Sequence, residues 1–180
     1  MEEMEDYLRV ILDDTSLLDK SKDVLLKGAI DIYRELKHFR YSGETKANVA
    51  LYLACDEYSC AIPKKIPKPK LPLLHKARKR TGIKRVDILE RIDPMCKLAD
   101  KERACVSETA KHILKEYQKK DIIKYGAGVP VGTAVTAIYI ASKICEEPIT
   151  QRELQKYFGV NEVTIRKRYK EMKNTLGICF

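Results

Sequence analysis

No stretch of this 180-residue sequence reaches the roughly 18 to 20 consecutive apolar residues that a membrane-spanning helix needs. Its opening, MEEMEDY from Met1 to Tyr7, also lacks the basic start of a secretory signal peptide. A soluble intracellular protein with no membrane partner is expected. Cys55, Cys60, Cys96, Cys105, Cys145 and Cys179 contain no C-x2-C pair and no histidine at ligand spacing. No metal site is expected, and the cysteines are read as reduced, buried thiols. His38, His75 and His112 are equally scattered. There is no Gly-rich phosphate loop and no nucleophile motif, and the adjacent acids Glu146 and Glu147 would diverge on a helix rather than act as an acid–base pair. No enzymatic activity, cofactor or small-molecule substrate is expected. Alternating apolar and polar runs joined by hairpin turns are missing too, which argues against a β-rich fold.

What is present is a 44% hydrophobic fraction, enough for a buried core in a length that suits one domain or two small ones. The formal charge of +9 favours a polyanionic partner, because clustered Lys and Arg displace counterions from a phosphate backbone. Added salt should weaken such binding. Residues 1–19 carry seven acids and one Arg, whereas residues 61–91 carry eleven bases and two acids, which suggests one working face.

The sequence also repeats itself. Leu25, Ala29, Ile32, Tyr33 and Leu36 share their spacing with Val106, Ala110, Ile113, Leu114 and Tyr117 at an offset of 81, and both sets form the stripe of an amphipathic helix. ALYLAC, from Ala50 to Cys55, matches AIYIAS, from Ala137 to Ser142, at an offset of 87. Each is apolar nearly all round, as a helix surrounded by others must be. Tyr33, Tyr52 and Tyr139 lie in these stripes and are expected to pack rather than react. A third match pairs TGIKRVDILERI, from Thr81, with FGVNEVTIRKRY, from Phe158, at an offset of 77, so that Gly82 meets Gly159 and Ile88 meets Ile165. The loss of ten from the offset falls on CAIPKKIPKPKLP, where Pro63, Pro67, Pro69 and Pro72 prevent a continuous helix. Residues 61–72 are therefore read as a basic loop insert. The expected fold is all-α: one repeat in residues 1–96, with an extra helix around Glu5 to Leu12, and a second in residues 97–180.

The second repeat ends in a helix-turn-helix over residues 150–173. Thr150 and Glu153 have the spacing of a capping box, Gly159 stands where a helix needs a left-handed stop, and Asn161 can cap the next helix. On that last helix Ile165, Tyr169 and Met172 form the buried stripe. Val163, Arg166, Lys167 and Lys170 share another face, which a DNA major groove would accept.

GVPVGTAVTAIYIASKICEEPITQRELQKYFGVNEVTIRKRYKEM, from Gly128 to Met172, resembles the second repeat of the transcription factor IIB family, which includes archaeal transcription factor B. LLKGAIDIYRELKHF and ANVALYLAC resemble the first repeat more loosely, and the likeness covers most of residues 17–174. The resemblance implies two cyclin-like helical repeats, the second reading double-stranded promoter DNA beside the TATA box through a Val and an Arg three residues later. Here those positions are Val163 and Arg166. An Arg can pair bidentately with guanine, and a Val can touch a base edge. Lys167, Lys170 and Arg152 are expected on phosphates, which fix register without reading sequence. Leu89 takes the place of Arg166 in the first repeat, so that half should not read bases in the same way.

The resemblance further implies the TATA-binding protein as a partner, chiefly through the first repeat. Lys64, Lys65, Lys68, Lys70, Lys76, Arg78, Lys79, Arg80, Lys84 and Arg85 are candidates for that contact or for phosphate. The implied location is the nucleoid-associated cytoplasm in an archaeon and the nucleus in a eukaryote. The family normally begins with a zinc ribbon that engages RNA polymerase, whereas this sequence starts almost directly at the first repeat. The expectation is a promoter-bound core that modulates initiation, as competitor or as accessory factor. The alternative is a cyclin-like protein-interaction module that does not read DNA.

Overall fold

Apolar residues at steps of three and four bury one stripe of a helix, and such stripes recur along this chain. The computed structural model describes residues 2–63, 65–83, 88–99, 104–120 and 131–178. Among them every regular element is helical: α1 (Glu2–Asp13), α2 (Asp19–Glu35), α3 (Gly43–Glu57), α4 (Leu71–Thr81), α5 (Ile88–Leu98), α6 (Ala104–Lys120), α7 (Val131–Ile144), α8 (Gln151–Phe158) and α9 (Glu162–Leu176). The all-α expectation holds.

The chain separates into two units, Met1–Arg85 and Val86–Phe180. In the first, α2 lies along α3, and Leu25, Ala29, Ile32 and Leu36 pack with Ala47, Ala50, Leu51 and Ala54 in one core that Leu8 and Leu12 of α1 complete. Ser42 starts α3 by accepting the Thr45 N–H at 3.2 Å. The basic insert has no regular structure from residue 67 to residue 70, and its last two residues already belong to α4. Pro72 sits in the first turn, where its missing N–H would have had no partner, and Gly82 ends the helix at φ 70°. Pro63 and Ile66 are buried, so part of the loop is anchored to the core.

In the second unit α7 is the central helix, with every residue from Thr133 to Ser142 buried. The stripe Val106, Ala110, Ile113, Leu114 and Tyr117 of α6 packs along it. Two expectations are corrected here. The division falls at 85/86 rather than 96/97, because α5, read from the sequence as the end of the first repeat, packs on α6 and α7. Ile92, Met95 and Cys96 are buried, while Asp93 accepts a hydrogen bond from the Ser107 hydroxyl and pairs with Lys111 at 2.8 Å. These contacts hold the Asp93 carboxyl below the ordinary carboxylate range, the Lys111 hydrogen bond contributing most and Ser107 next. Second, Cys105 and Cys145 form a disulfide between the first turn of α6 and the residue that follows α7. Cys55, Cys60 and Cys96 are buried thiols, as expected. Cys179 lies outside the described residues.

Candidate nucleic-acid interface

The second unit builds its helix-turn-helix from local chemistry. The Thr150 hydroxyl accepts the Glu153 N–H at 3.1 Å, and the Glu153 carboxylate accepts the Thr150 N–H at 2.7 Å, so two otherwise orphaned donors at the start of α8 are satisfied. Gly159 stops α8 at φ 69°, in the left-handed region, and its N–H bonds to the Gln155 carbonyl at 2.7 Å. Asn161 then accepts the Val163 N–H at 2.8 Å and opens α9. The Gln155 side chain accepts the Glu162 N–H at 3.1 Å, which links the two helices across the turn.

Apolar side chains fix how α8 and α9 sit on α7. Leu154, Phe158, Ile165 and Met172 are fully buried, and Ile149 and Val160 are nearly so. The third residue of the expected α9 stripe, Tyr169, is half-buried: its ring meets Tyr139 of α7 edge-on, with centroids 5.6 Å apart. The Lys143 ammonium lies 4.8 Å from the Tyr139 centroid and 5.7 Å from that of Tyr169. Its hydrogen bond with Tyr139 raises the Lys143 pKa and keeps the ammonium charged. At the other end of α9, a Cβ on Gly132 would come within 3.3 Å of the Thr164 methyl, so the start of α7 approaches closely because this residue has no side chain.

This packing leaves one face of α9 open. Val163, Arg166, Lys167 and Lys170 are all exposed at spacings of three and four, so the four sequence-expected residues stand together. Val163 is 68% exposed on the same face as these cations. Among the described residues no ion pair engages Arg166, Lys167 or Lys170, whereas neighbouring Arg168 pairs with Glu171 at 2.9 Å. Arg152 is exposed in the first turn of α8. Thr164 is exposed too, but points away from this face toward the start of α7. The Tyr139–Tyr169–Lys143 cluster was missed by sequence reasoning, and the i, i+4 spacing of Tyr139 and Lys143 was its only trace.

The basic residues expected as a second patch belong to the first unit and behave differently from one another. Lys68, Lys70, Lys76, Lys79 and Arg80 are exposed. Lys65 pairs with Asp14 at the surface, and half-buried Arg78 pairs with Asp56 of α3. Lys64, Lys84 and Arg85 lie outside the described residues. An open groove of about 970 Å³ runs along α4, lined by Tyr52, Lys68, Leu71, His75, Arg78 and Lys79 among others. Leu71 is 70% exposed beside it.

Comparison with known proteins gives a family match over the second unit and relatives that align over more of the chain. The family model described as the transcription factor TFIIB repeat matches residues 84–175, a span that takes in α5 to α9. The chain is 34% identical over 148 residues to transcription initiation factor IIB of Methanosarcina mazei, an overlap covering 75% of this chain and 42% of that protein. It is 31% identical over 141 residues to transcription initiation factor IIB of Drosophila melanogaster, covering 73% and 44%. A shorter overlap of 66 residues with transcription initiation factor IIB of Methanothrix thermoacetophila reaches 48% identity, over 37% of this chain and 19% of that one. The chain spans less than half the length of the curated relatives it matches.

Proposed function

Because the chain belongs to the transcription factor IIB family, we propose that it binds promoter DNA through α9 and modulates transcription initiation together with the TATA-binding protein. The observation that carries this reading is the open α9 face, where a solvent-exposed Val163 stands among Arg166, Lys167 and Lys170 on a helix whose other side is locked to α7. A lone exposed valine is ordinary on a solvated surface. Its grouping with three cations on one helix face is what suits a major groove, where valine can meet a base edge while Arg166 pairs with guanine N7 and O6. Lys167, Lys170 and Arg152 bind phosphates on either side.

The first unit takes the protein partner in this reading. Its groove joins cations of α4 and the insert, Lys68 and Lys79, to apolar Leu71 and Tyr52, a mixture suited to a protein surface more than to a bare phosphate backbone. Lys70, Lys76 and Arg80 extend the charge beyond the groove. Lys65 and Arg78 serve the unit's own structure through Asp14 and Asp56.

The test is a gel-shift titration with TATA-containing duplex, with and without the TATA-binding protein, across a salt series. Binding that weakens as salt rises is the expected outcome. No shift in any lane would refute the reading.

A further inference from the structure

The connection between α7 and the helix-turn-helix is only residues 145–149 long, and it is held at several points. The Cys145 N–H bonds to the Ala141 carbonyl at 2.9 Å and the Glu147 N–H to the Ser142 carbonyl at 2.8 Å. The Ile149 N–H reaches the Ser142 hydroxyl at 3.4 Å, one residue before the Thr150 cap. Between these bonds Glu146 adopts φ 57°, a left-handed conformation that a side-chain-bearing residue enters at a cost. The disulfide to Cys105 fastens the residue just before it to α6.

Of the described cysteines, the disulfide pair is the one open to reagents. Cys105 is exposed and Cys145 half-buried, with the Thr109 hydroxyl 3.6 Å from the Cys145 sulfur. Cys55, Cys60 and Cys96 are buried. Burial raises their pKa values, that of Cys60 and that of Cys96 each to about 12, which leaves almost no thiolate to react.

We propose that Cys105–Cys145 is a reversible thiol–disulfide exchange site, opened by a dithiol reductant and closed by a disulfide oxidant, that sets how firmly the helix-turn-helix is held for DNA. The DNA half of this inference rests on the function proposed above. In the opening step a thiolate of the dithiol attacks the exposed Cys105 sulfur, forming a mixed disulfide and expelling the Cys145 thiolate, which takes up a proton. The reductant's second thiol, as thiolate, then attacks its own sulfur in the mixed disulfide and releases Cys105, which is protonated in turn. Two electrons pass from the dithiol to the protein, and the reductant leaves as its cyclic disulfide. The 145–149 connection then keeps its hydrogen bonds but loses its covalent anchor. Part of the ordering of α8 is thereby deferred to the moment of DNA binding.

Oxidised and dithiothreitol-reduced full chain are compared, each state verified by mass spectrometry, in promoter-duplex binding and in hydrogen exchange of residues 145–158. Reduction should weaken binding by about fivefold and speed exchange at the start of α8. Cys105→Ser and Cys145→Ser should match the reduced protein in both conditions, whereas Cys96→Ser and Cys179→Ser should keep the full response. Equal affinity and equal exchange in the two verified states would overturn the proposal, as would a failure of the pair to re-form with oxidised glutathione. If neither state binds duplex, the DNA reading fails, and the exchange comparison alone decides whether the disulfide holds the helix-turn-helix.

Discussion

The Tyr169 ring meets the Tyr139 ring edge-on at 5.6 Å, and the Lys143 ammonium lies over both. Arg166 is one turn of α9 before Tyr169, so this contact helps fix the direction in which the α9 face points. Replacing Tyr169 by Leu keeps an apolar side chain but removes the ring pair, and should cost about 1 kcal/mol of second-unit stability in a denaturant titration. Lys143→Met should cost about 0.5 kcal/mol, the usual size of an exposed cation–π contact.

Thr150→Ala removes one half of the capping box, leaving the Glu153 N–H without its side-chain partner. A loss of about 1 kcal/mol is expected in chemical unfolding. Gly159→Ala forces a Cβ into a left-handed residue and should cost about the same, for a different reason. The two effects should add approximately, since each acts on its own end of α8.

Glu146 offers the opposite sign. A non-glycine residue at φ 57° carries about 1–2 kcal/mol of backbone strain. Glycine relieves it but loses about 0.4–1 kcal/mol through the greater freedom of its unfolded chain. Glu146→Gly should therefore raise stability by about 0.5–1 kcal/mol, seen as a higher denaturant midpoint with unchanged slope.

Asp93 supplies a pH dependence. Its folded pKa is depressed below the ordinary 3.8 by the Lys111 and Ser107 hydrogen bonds, so the stability it contributes is present above pH 3.8 and is lost as pH falls through the lower folded value. In an acid titration, wild type should be more stable than Asp93→Asn at neutral pH. The difference should close as Asp93 is protonated. A constant gap down to full protonation would exclude this origin.

Signals that are local in the chain were the legible ones. The Thr150–Glu153 box, the Gly159 stop and the Asn161 cap act within four residues and were readable letter by letter. The stripes of α2 and α6 were readable too, because helical periodicity depends on neighbours in sequence. The allegiance of α5 was not. Its pattern matched the turn into α9 and the first half of that helix well enough to suggest the last helix of a first repeat, but Ile92, Met95 and Asp93 find their partners on α6 and α7. Pro94 lies inside the helix, seven positions in, where a local reading would have ended it. Cys105 and Cys145 are 40 residues apart with no spacing that marks a pair, so only the fold could join them. The charge run was legible as basic but not as divided, since Asp14 and Asp56, which take Lys65 and Arg78, are far away in sequence.

DNA reading by α9 is tested most directly by measuring the affinity of Arg166→Ala and Lys170→Ala against a set of promoter duplexes that differ by single base pairs. Arg166→Ala should lose about 1–3 kcal/mol on the preferred sequence and no longer discriminate at one position, whereas Lys170→Ala should weaken every duplex alike and reduce the salt slope by about one. Equal losses on all duplexes for Arg166→Ala, with discrimination intact, would contradict base reading by this face.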